Sequence, residues 1–295
     1  MKKPEPVNSE ILVRVHAAGI TGDEVLWGGT YRRPTRIPGH DISGVIAAFG
    51  PEYSGPLKIG QEVFAFLTSH HGEGQAEYVA CSSEEVALKP ASLSHAEAAT
   101  LPIPVLTAWE ILDYADFHSG TRVLVTGASG AVGQQFVQLV KQLADAYVIA
   151  LASSDNPVTQ QLLGKVVDEV IDYKTPNWEN TVQNIDVVFD TVGGEVLAKT
   201  WETVKADGTI ITIGDPAPAW AYGNDEAPES LTYPGVKYKY FIVSPNAQRL
   251  GEIVKMFDEG LMKPLAVKTF PFEQAAEAWE DARQRGKTYK VVLEL

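Results

Sequence analysis

Residues 122–139 read RVLVTGASGAVGQQFVQL, and the fold turns on how this stretch is read. Val123 to Val125 form a short apolar run of the kind that makes a buried strand. Val132, Phe136, Val137 and Val140 then recur at helical spacing. Between the two periods stand Gly127, Gly130 and Gly133, spaced G-x-x-G-x-x-G, with Ser129 inside the turn. Glycine lets a chain turn tightly and lets its backbone approach a phosphate closely. A helix opening near Ala131 points free N–H groups, those of Ala131 and Val132 among them, and the positive end of its dipole at such an anion. The strand before and the helix after supply the context that a bare glycine pattern lacks. The plain alternative is a tight strand–helix turn with no ligand.

Beyond this stretch the same alternation continues. Strands are expected at 123–125, 147–151, 169–171, 186–190, 209–213 and 240–243. Helices are expected near 131–144, 157–164, 176–183, 195–204 and 246–258. Such alternation predicts a parallel sheet wound on both faces. Residues 216–234 form a polar, proline-bearing insertion, either a surface loop or a flap. Upstream the pattern differs. Ile11, Val13 and Val15 alternate with polar neighbours, a loop with at most one helical turn follows over 17–27, and a loop covers 28–38. Short apolar runs at 42–49, 62–67, 76–80 and 86–89 are then separated by glycine and proline turns. That reads as a small barrel or sandwich. Helical periodicity covers 95–101 and 105–114, and Ser94 with Glu97 makes a capping-box pair. After Gly260 two short strands, 266–270 and 291–295, flank a helix over 273–283 and are expected to pack back on the first domain. The expected domains are 1–95 with 264–295, and 96–263.

The 295 residues suffice for two domains. A net charge of -14 argues against nucleic acid, which needs clustered Lys and Arg. No apolar run approaches the ~18 residues of a membrane span. The opening MKKPEPVNSE has no apolar core of a secretory signal, so a cytoplasmic location is expected. The single cysteine, Cys81, excludes an internal disulfide and a thiolate-built structural zinc site, and reads as a small core residue.

Seven segments carry a family resemblance: IPGHDISGVI at 37–46, LPIPVLTAWEIL at 101–112, VLVTGASGAVG at 123–133, VIDY at 170–173, DVVFDTVGG at 186–194, GTIITIG at 208–214 and FEQAAEAWE at 272–280. In this order they resemble the medium-chain dehydrogenase/reductase superfamily, in its zinc-free quinone oxidoreductase and enone reductase branch. The resemblance implies an α/β protein: a GroES-like, β-rich catalytic domain plus a Rossmann, doubly wound parallel-sheet domain, with hydride transfer in a cleft between them. It also implies a homodimer paired through the Rossmann sheet edge. Members carry further strands before a segment like Ser9 to Val15; their absence here implies a trimmed barrel or a shortened gene reading.

Zinc-dependent relatives place a cysteine where this chain has Thr21, and their Gly-His-Glu is here Gly39-His40-Asp41. A threonine hydroxyl is a poor zinc ligand. The adjacent His70 and His71 are expected to face solvent. No metal is therefore expected. Alcohol oxidation would then lack its Lewis acid, whereas hydride addition to an activated C=C or a quinone needs none. The expected substrates are small enals, enones or quinones.

In NAD-binding units an acidic residue about 20 residues past the glycines takes the ribose 2′-OH. Here strand 147–151 runs into Ala152, Ser153 and Ser154, with Asp155 a little beyond. Serines hydrogen-bond a 2′-phosphate that a carboxylate would repel. Tyr173 matches a tyrosine that lies beside that phosphate in the resembling family, and Lys174 or Lys165 could add charge. NADPH is the expected cofactor. The resemblance further implies that Gly214 and the backbone from Phe241 to Val243 flank the nicotinamide, with Thr107 at the mouth of helix 105–114 near its ribose. It puts the substrate by Thr21, Asp23 and Tyr31. Tyr31 is the candidate donor to an enolate oxygen, or else an aromatic that only packs; Asp23 is a candidate acid or a structural hydrogen-bonding residue. Catalysis by positioning alone is a further option. Two other readings stay open: a carrier-linked enoyl reductase acting in trans, and a non-catalytic NADPH-binding protein.

Overall fold

The computed structural model describes residues 3–26, 37–68, 72–223 and 225–295; Tyr31, His70 and His71 lie outside the described residues. The chain divides into two compact units, Met1–Leu106 with Ser244–Leu295, and Thr107–Val243. In chain order the first unit begins with strands β1 (Ile11–Ile20), β2 (Asp41–Phe49), β3 (Glu62–Phe66), β4 (Tyr78–Cys81) and β5 (Val86–Leu88). Helix α1 (His95–Ala98) follows, and α2 (Pro102–Tyr114) crosses the unit boundary. The second unit holds β6 (Arg122–Thr126), α3 (Ala131–Ala144), β7 (Tyr147–Ala152), α4 (Gly164–Val166), β8 (Glu169–Asp172), β9 (Ile185–Asp190), α5 (Gly194–Thr200), β10 (Val204–Thr212) and β11 (Lys237–Tyr240). The chain then returns to the first unit through α6 (Ala247–Asp258), β12 (Val267–Pro271), α7 (Ala275–Ala282) and β13 (Lys290–Glu294).

The first unit is one seven-stranded sheet in the order β12-β13-β1-β2-β3-β5, with β4 also on β1. Strand β1 outruns the expected half-buried strand. Ala17 to Ile20, read as loop from sequence, pair with Glu294 to Val291 of β13. Its first half pairs instead with β4. The core here is Ile11, Val13, Val15, Ile42, Ile46 and Val63, with Cys81 buried among them as expected. Helix α1 has the expected capping box, in which Glu97 N–H donates to Ser94 Oγ at 3.2 Å and Ser94 N–H to Glu97 Oε2 at 2.8 Å. Helix α2 begins three residues before the expected start. Pro102 loses nothing in a first turn, and Ile103 N–H is taken by Asp41 Oδ1 at 2.8 Å. Helix α6 belongs with this unit: Ala247 N–H donates to Glu84 O at 2.8 Å, and Ser92 N–H to Asp258 Oδ1 at 2.9 Å.

The second unit is a six-stranded parallel sheet ordered β11-β10-β9-β6-β7-β8. Strand order reverses at β6, which makes the carboxyl ends of β6 and β9 the switch point. Helix α3 spans the expected 131–144 and packs Phe136 onto Phe189, ring centroids 4.6 Å apart. Segment 157–164 is helical as expected, residues 157–158 running through a π-helical turn, Thr159–Leu163, into α4, whereas 176–183 keeps only a 3-10 turn, Trp178–Thr181. The last strand is 237–240 rather than 240–243, because Tyr240 already lies opposite Thr212, where β10 ends. Insertion 216–234 is anchored rather than loose. Trp220 and Ala227 are buried with Trp201 and Val236, and the Trp220 ring stands edge-on to Tyr238 at 5.1 Å. Among the described residues no helix is long and apolar enough to cross a membrane.

Candidate functional site

Past Thr126 the chain leaves β6 through Gly127, whose φ of +61° suits glycine. Gly130 N–H closes the turn onto Gly127 O at 2.8 Å. Gly130 then caps α3 in an extended conformation, with no side-chain hydrogen bond to the helix end. The first N–H groups of α3, starting at Ala131 and Val132, are thus left for a ligand or water. A Cβ on Gly133 would fall 2.5 Å from Gly127 O and 2.7 Å from Ala128 Cα, so only glycine lets the helix lie this close to the turn. Ser129 O is held by Gln134 Nε2 at 2.8 Å.

Beneath the turn sits Asp190, at the end of β9 and fully buried. Its Oδ1 accepts from Thr126 Oγ1 at 2.5 Å and Val192 N–H at 3.2 Å; its Oδ2 accepts from Thr212 Oγ1 at 2.6 Å and Gly193 N–H at 2.9 Å. Thr126 Oγ1 in turn accepts from Thr191 N–H at 3.1 Å, and Thr212 Oγ1 from Gly214 N–H at 2.9 Å. One carboxylate therefore ties the carboxyl ends of β6, β9 and β10 together. Gly214 is pressed against Gly193, where a Cβ would meet Gly193 N at 2.4 Å. The sequence reading gave Asp190 no role. Its signal was a carboxylate ending an apolar strand, with a threonine ending each neighbouring strand.

At the other side of β6 the tip of β7 carries Ser153 and Ser154. Ser154 donates twice to Asp172 Oδ2, from N–H at 3.0 Å and from Oγ at 2.5 Å. Lys174 N–H donates to Asp172 Oδ1 at 2.9 Å. The Ser154 hydroxyl, then these backbone donors, hold the Asp172 carboxyl down at about 2. The serine tip therefore does have a carboxylate beside it, brought by β8, which a reading of strand 147–151 alone omitted. Lys174 Nζ lies 2.8 Å from Asp155 Oδ2, while Tyr173 is exposed. Thr107 is buried in the second turn of α2 rather than at its mouth, since that helix starts at Pro102. Phe241 N–H donates to Thr212 O at 2.9 Å, and Phe241 and Val243, both half-buried, lie just past β11.

In the first unit Thr21 and Asp23 sit half-buried on the turn after β1. Thr21 O accepts from Glu24 N–H at 3.0 Å, and Asp23 O from Leu26 N–H at 2.8 Å. The buried acid is the next residue. Glu24 is 1% exposed, its Oε1 accepting from Gly39 N–H at 2.8 Å. Burial, and then the charge of Asp41, push its carboxyl up to about 8, against a smaller opposing pull from Lys290. Asp41 Oδ2 is paired with Lys290 Nζ at 2.8 Å, in the buried interior. His40 is fully buried, with Nδ1 2.9 Å from Leu67 O.

Residues 7–97 match the alcohol dehydrogenase GroES-like domain, and residues 166–293 the zinc-binding dehydrogenase domain. Over 302 residues the chain is 30% identical to a probable zinc-binding oxidoreductase, mitochondrial, of Arthroderma benhamiae, covering 97% of this chain and 88% of that one. This chain belongs to the medium-chain dehydrogenase/reductase superfamily. This superfamily member is also 30% identical to the NADPH-dependent alkenal/one oxidoreductase, chloroplastic, of Arabidopsis thaliana, over 98% of its own length and 73% of that protein's. Its fold matches the crystal structure of CurK enoyl reductase with a TM-score of 0.84 and 25% identity, covering 100% of this chain and 93% of that one.

Two groups implied by the superfamily can be set against its residues. For a nicotinamide dinucleotide, the N-terminus of α3, free of any side-chain cap and brought close to the turn by Gly133, is the needed cradle. Zinc fits poorly. Thr21 offers only a hydroxyl, and Asp41 is committed to an ammonium and a backbone N–H. Among the described residues no three His, Cys, Asp or Glu side chains converge.

Proposed function

We propose that this protein is an NADPH-dependent, zinc-independent reductase of an activated C=C or a quinone, acting on small enals, enones or quinones. The observation that carries the reading is the open α3 N-terminus at the switch point of the parallel sheet, clamped from below by Asp190. The bound cofactor would supply the hydride. Ala131 and Val132 hold the pyrophosphate through their N–H groups, over the turn shaped by Gly127, Ser129, Gly130 and Gly133. Ser153, Ser154 and Tyr173 surround the 2′-phosphate, with Asp172 limiting the preference over NADH to roughly tenfold, the scale of one charge-assisted contact. Gly214, Phe241 and Val243 border the nicotinamide, and Thr107 steadies the backbone behind its ribose. Thr21 and Asp23 position the substrate carbonyl, and Tyr31 donates to the enolate oxygen. Neutral Glu24 keeps the turn that carries Thr21 and Asp23 in place through Gly39 N–H.

The test is NADPH and NADH consumption over a panel of small enals, enones and quinones, with and without a chelator. Turnover that survives the chelator and favours NADPH supports the proposal. Loss of activity on chelation, or equal kcat/KM with the two cofactors, removes the corresponding part. Tight NADPH binding with no turnover over the whole panel would favour a non-catalytic binder.

A further inference from the structure

The turn after β1 rests on the end of α7. Ile20, the last residue of β1, packs with Ala278 and Ala282 of that helix and lies opposite Val291 of β13. Two residues on, Gly22 lies against the same helix end. A Cβ there would fall 2.4 Å from Ala282 O, 2.8 Å from Ala282 C and 3.1 Å from Arg283 Cα. All three are backbone atoms, which cannot swing aside as a flexible side chain can. Glycine at 22 therefore lets Thr21 and Asp23, on either side of it, sit as close to α7 as they do.

The last carbonyls of a helix have no partner inside it, and the carbonyl of Ala282 is one of these. Lys287, half-buried, supplies the donor. Its Nζ donates to Ala282 O at 2.6 Å and also to Gln284 O. An ammonium in this place satisfies the carbonyls and complements the negative end of the helix dipole. The neighbouring Asp281 is held separately, by Lys268 Nζ at 2.5 Å and the Tyr289 hydroxyl at 2.9 Å. It is Lys287 that holds the carbonyl against which Gly22 is pressed.

We propose that Lys287 is a positioning residue for the substrate carbonyl: by fixing the end of α7 it fixes the Thr21–Asp23 turn. The inference rests on the proposed placing of the substrate at this turn, and every contact it uses lies within the first unit. The turn then has two braces. Glu24 holds it through Gly39 N–H, and α7 holds it through Gly22. Without the Lys287 donors the last turn of α7 frays, Ala282 O shifts, and Gly22 shifts with it. A displacement of about 1 Å in a positioning group can cost as much as ~100-fold in rate, so a smaller one is still measurable. The glycine turn at 127–133 belongs to the other unit and keeps its own contacts.

Three variants of the full chain test this. Lys287→Met keeps the stem and removes the donors, Lys287→Arg keeps charge and donors, and Gly22→Ala lifts the turn off its seat. The substrate is the small enal, enone or quinone that the parent reduces fastest. Lys287→Met is expected to raise its KM and lower kcat/KM by roughly threefold to tenfold, the scale of one net hydrogen bond, with the NADPH Kd unchanged. Lys287→Arg is expected to recover most of that loss. Gly22→Ala is expected to lose at least as much as Lys287→Met; should it fail to fold, the Lys287 variants decide. Amide exchange over residues 21–26 needs no turnover, and Glu24 and Leu26 N–H, which donate to Thr21 O and Asp23 O, report the turn directly. Exchange is expected to quicken in Lys287→Met and not in Lys287→Arg. A parent that reduces nothing in the panel would sink the reductase reading and leave exchange to decide the seat. Unchanged exchange in Lys287→Met, unchanged kcat/KM, an arginine no better than methionine, or a loss shared equally by NADPH binding would each overturn the proposal.

Discussion

Replacing Asp190 by asparagine changes one oxygen to an amide nitrogen in the buried junction beneath the glycine turn. Both threonine hydroxyls already accept a backbone N–H, so each has its proton aimed at the carboxylate. An amide nitrogen placed at Oδ2 meets two donors, Gly193 N–H and the Thr212 hydroxyl. Placed at Oδ1 it meets Val192 N–H and the Thr126 hydroxyl. Either choice forfeits hydrogen bonds to a charged acceptor and leaves donors facing each other. The expected cost is about 2–4 kcal/mol. At about 2–4 °C per kcal/mol for a protein of this size, Tm should fall by roughly 4–16 °C. Because the same junction holds Gly193, Gly214 and the end of β6, NADPH affinity should fall with it. Thermal unfolding with and without NADPH measures both. A variant whose Tm stays within about a degree of the parent, with unchanged NADPH stabilisation, would refute the claim that Asp190 clamps the strand ends.

Gly133→Ala should abolish measurable NADPH binding or the fold, since its Cβ would overlap Gly127 O and Ala128 backbone, whereas Gly130→Ala, 3.1 Å from Gly127 O, should cost far less; comparable Kd values for the two variants would contradict this. Asp172→Asn should raise the NADPH-to-NADH ratio of kcat/KM by about three- to tenfold through loss of a negative charge beside Ser154; an unmoved ratio would place the 2′-phosphate elsewhere. Glu24 keeps its proton in the folded chain up to about pH 8 and loses it in the ordinary carboxyl range when unfolded. Its contribution is therefore complete at acid pH and is lost as pH rises through 8, so urea midpoints at about pH 5.5 and 8.5 should fall more for the parent than for Glu24→Gln. A parallel fall in both would assign the pH dependence to other groups.

The parallel sheet was legible because its signal is local. Apolar runs of strand length alternate with 3.6-residue periods, and α3 spans the stretch read from Val132, Phe136 and Val140. Partnerships distant in sequence left no such trace. Ala17 to Ile20 become strand only because the last residues of the chain lie beside them, and Asp41 starts α2 from 62 positions away. The same limit governed the site. The glycine turn announces itself in one stretch, but Asp172 reaches Ser154 from the next strand, and Asp190 acts through two threonines on two other strands. The buried acid of the first unit is Glu24 and not its neighbour Asp23, and the Gly39 N–H that meets its carboxyl comes from 15 positions away.

The ion pair between Asp41 and Lys290 joins residues 249 positions apart, and β13 flanks the first strand of the chain. On the ribosome this imposes an order. The stretch from 107 to 243 is made before β13, while Ala17 to Ile20 wait, with part of one sheet edge bare, until residues 291–294 have been synthesised. For that interval strands β1 to β5, made before the parallel sheet, are the portion left open to chaperones, proteases and mispairing.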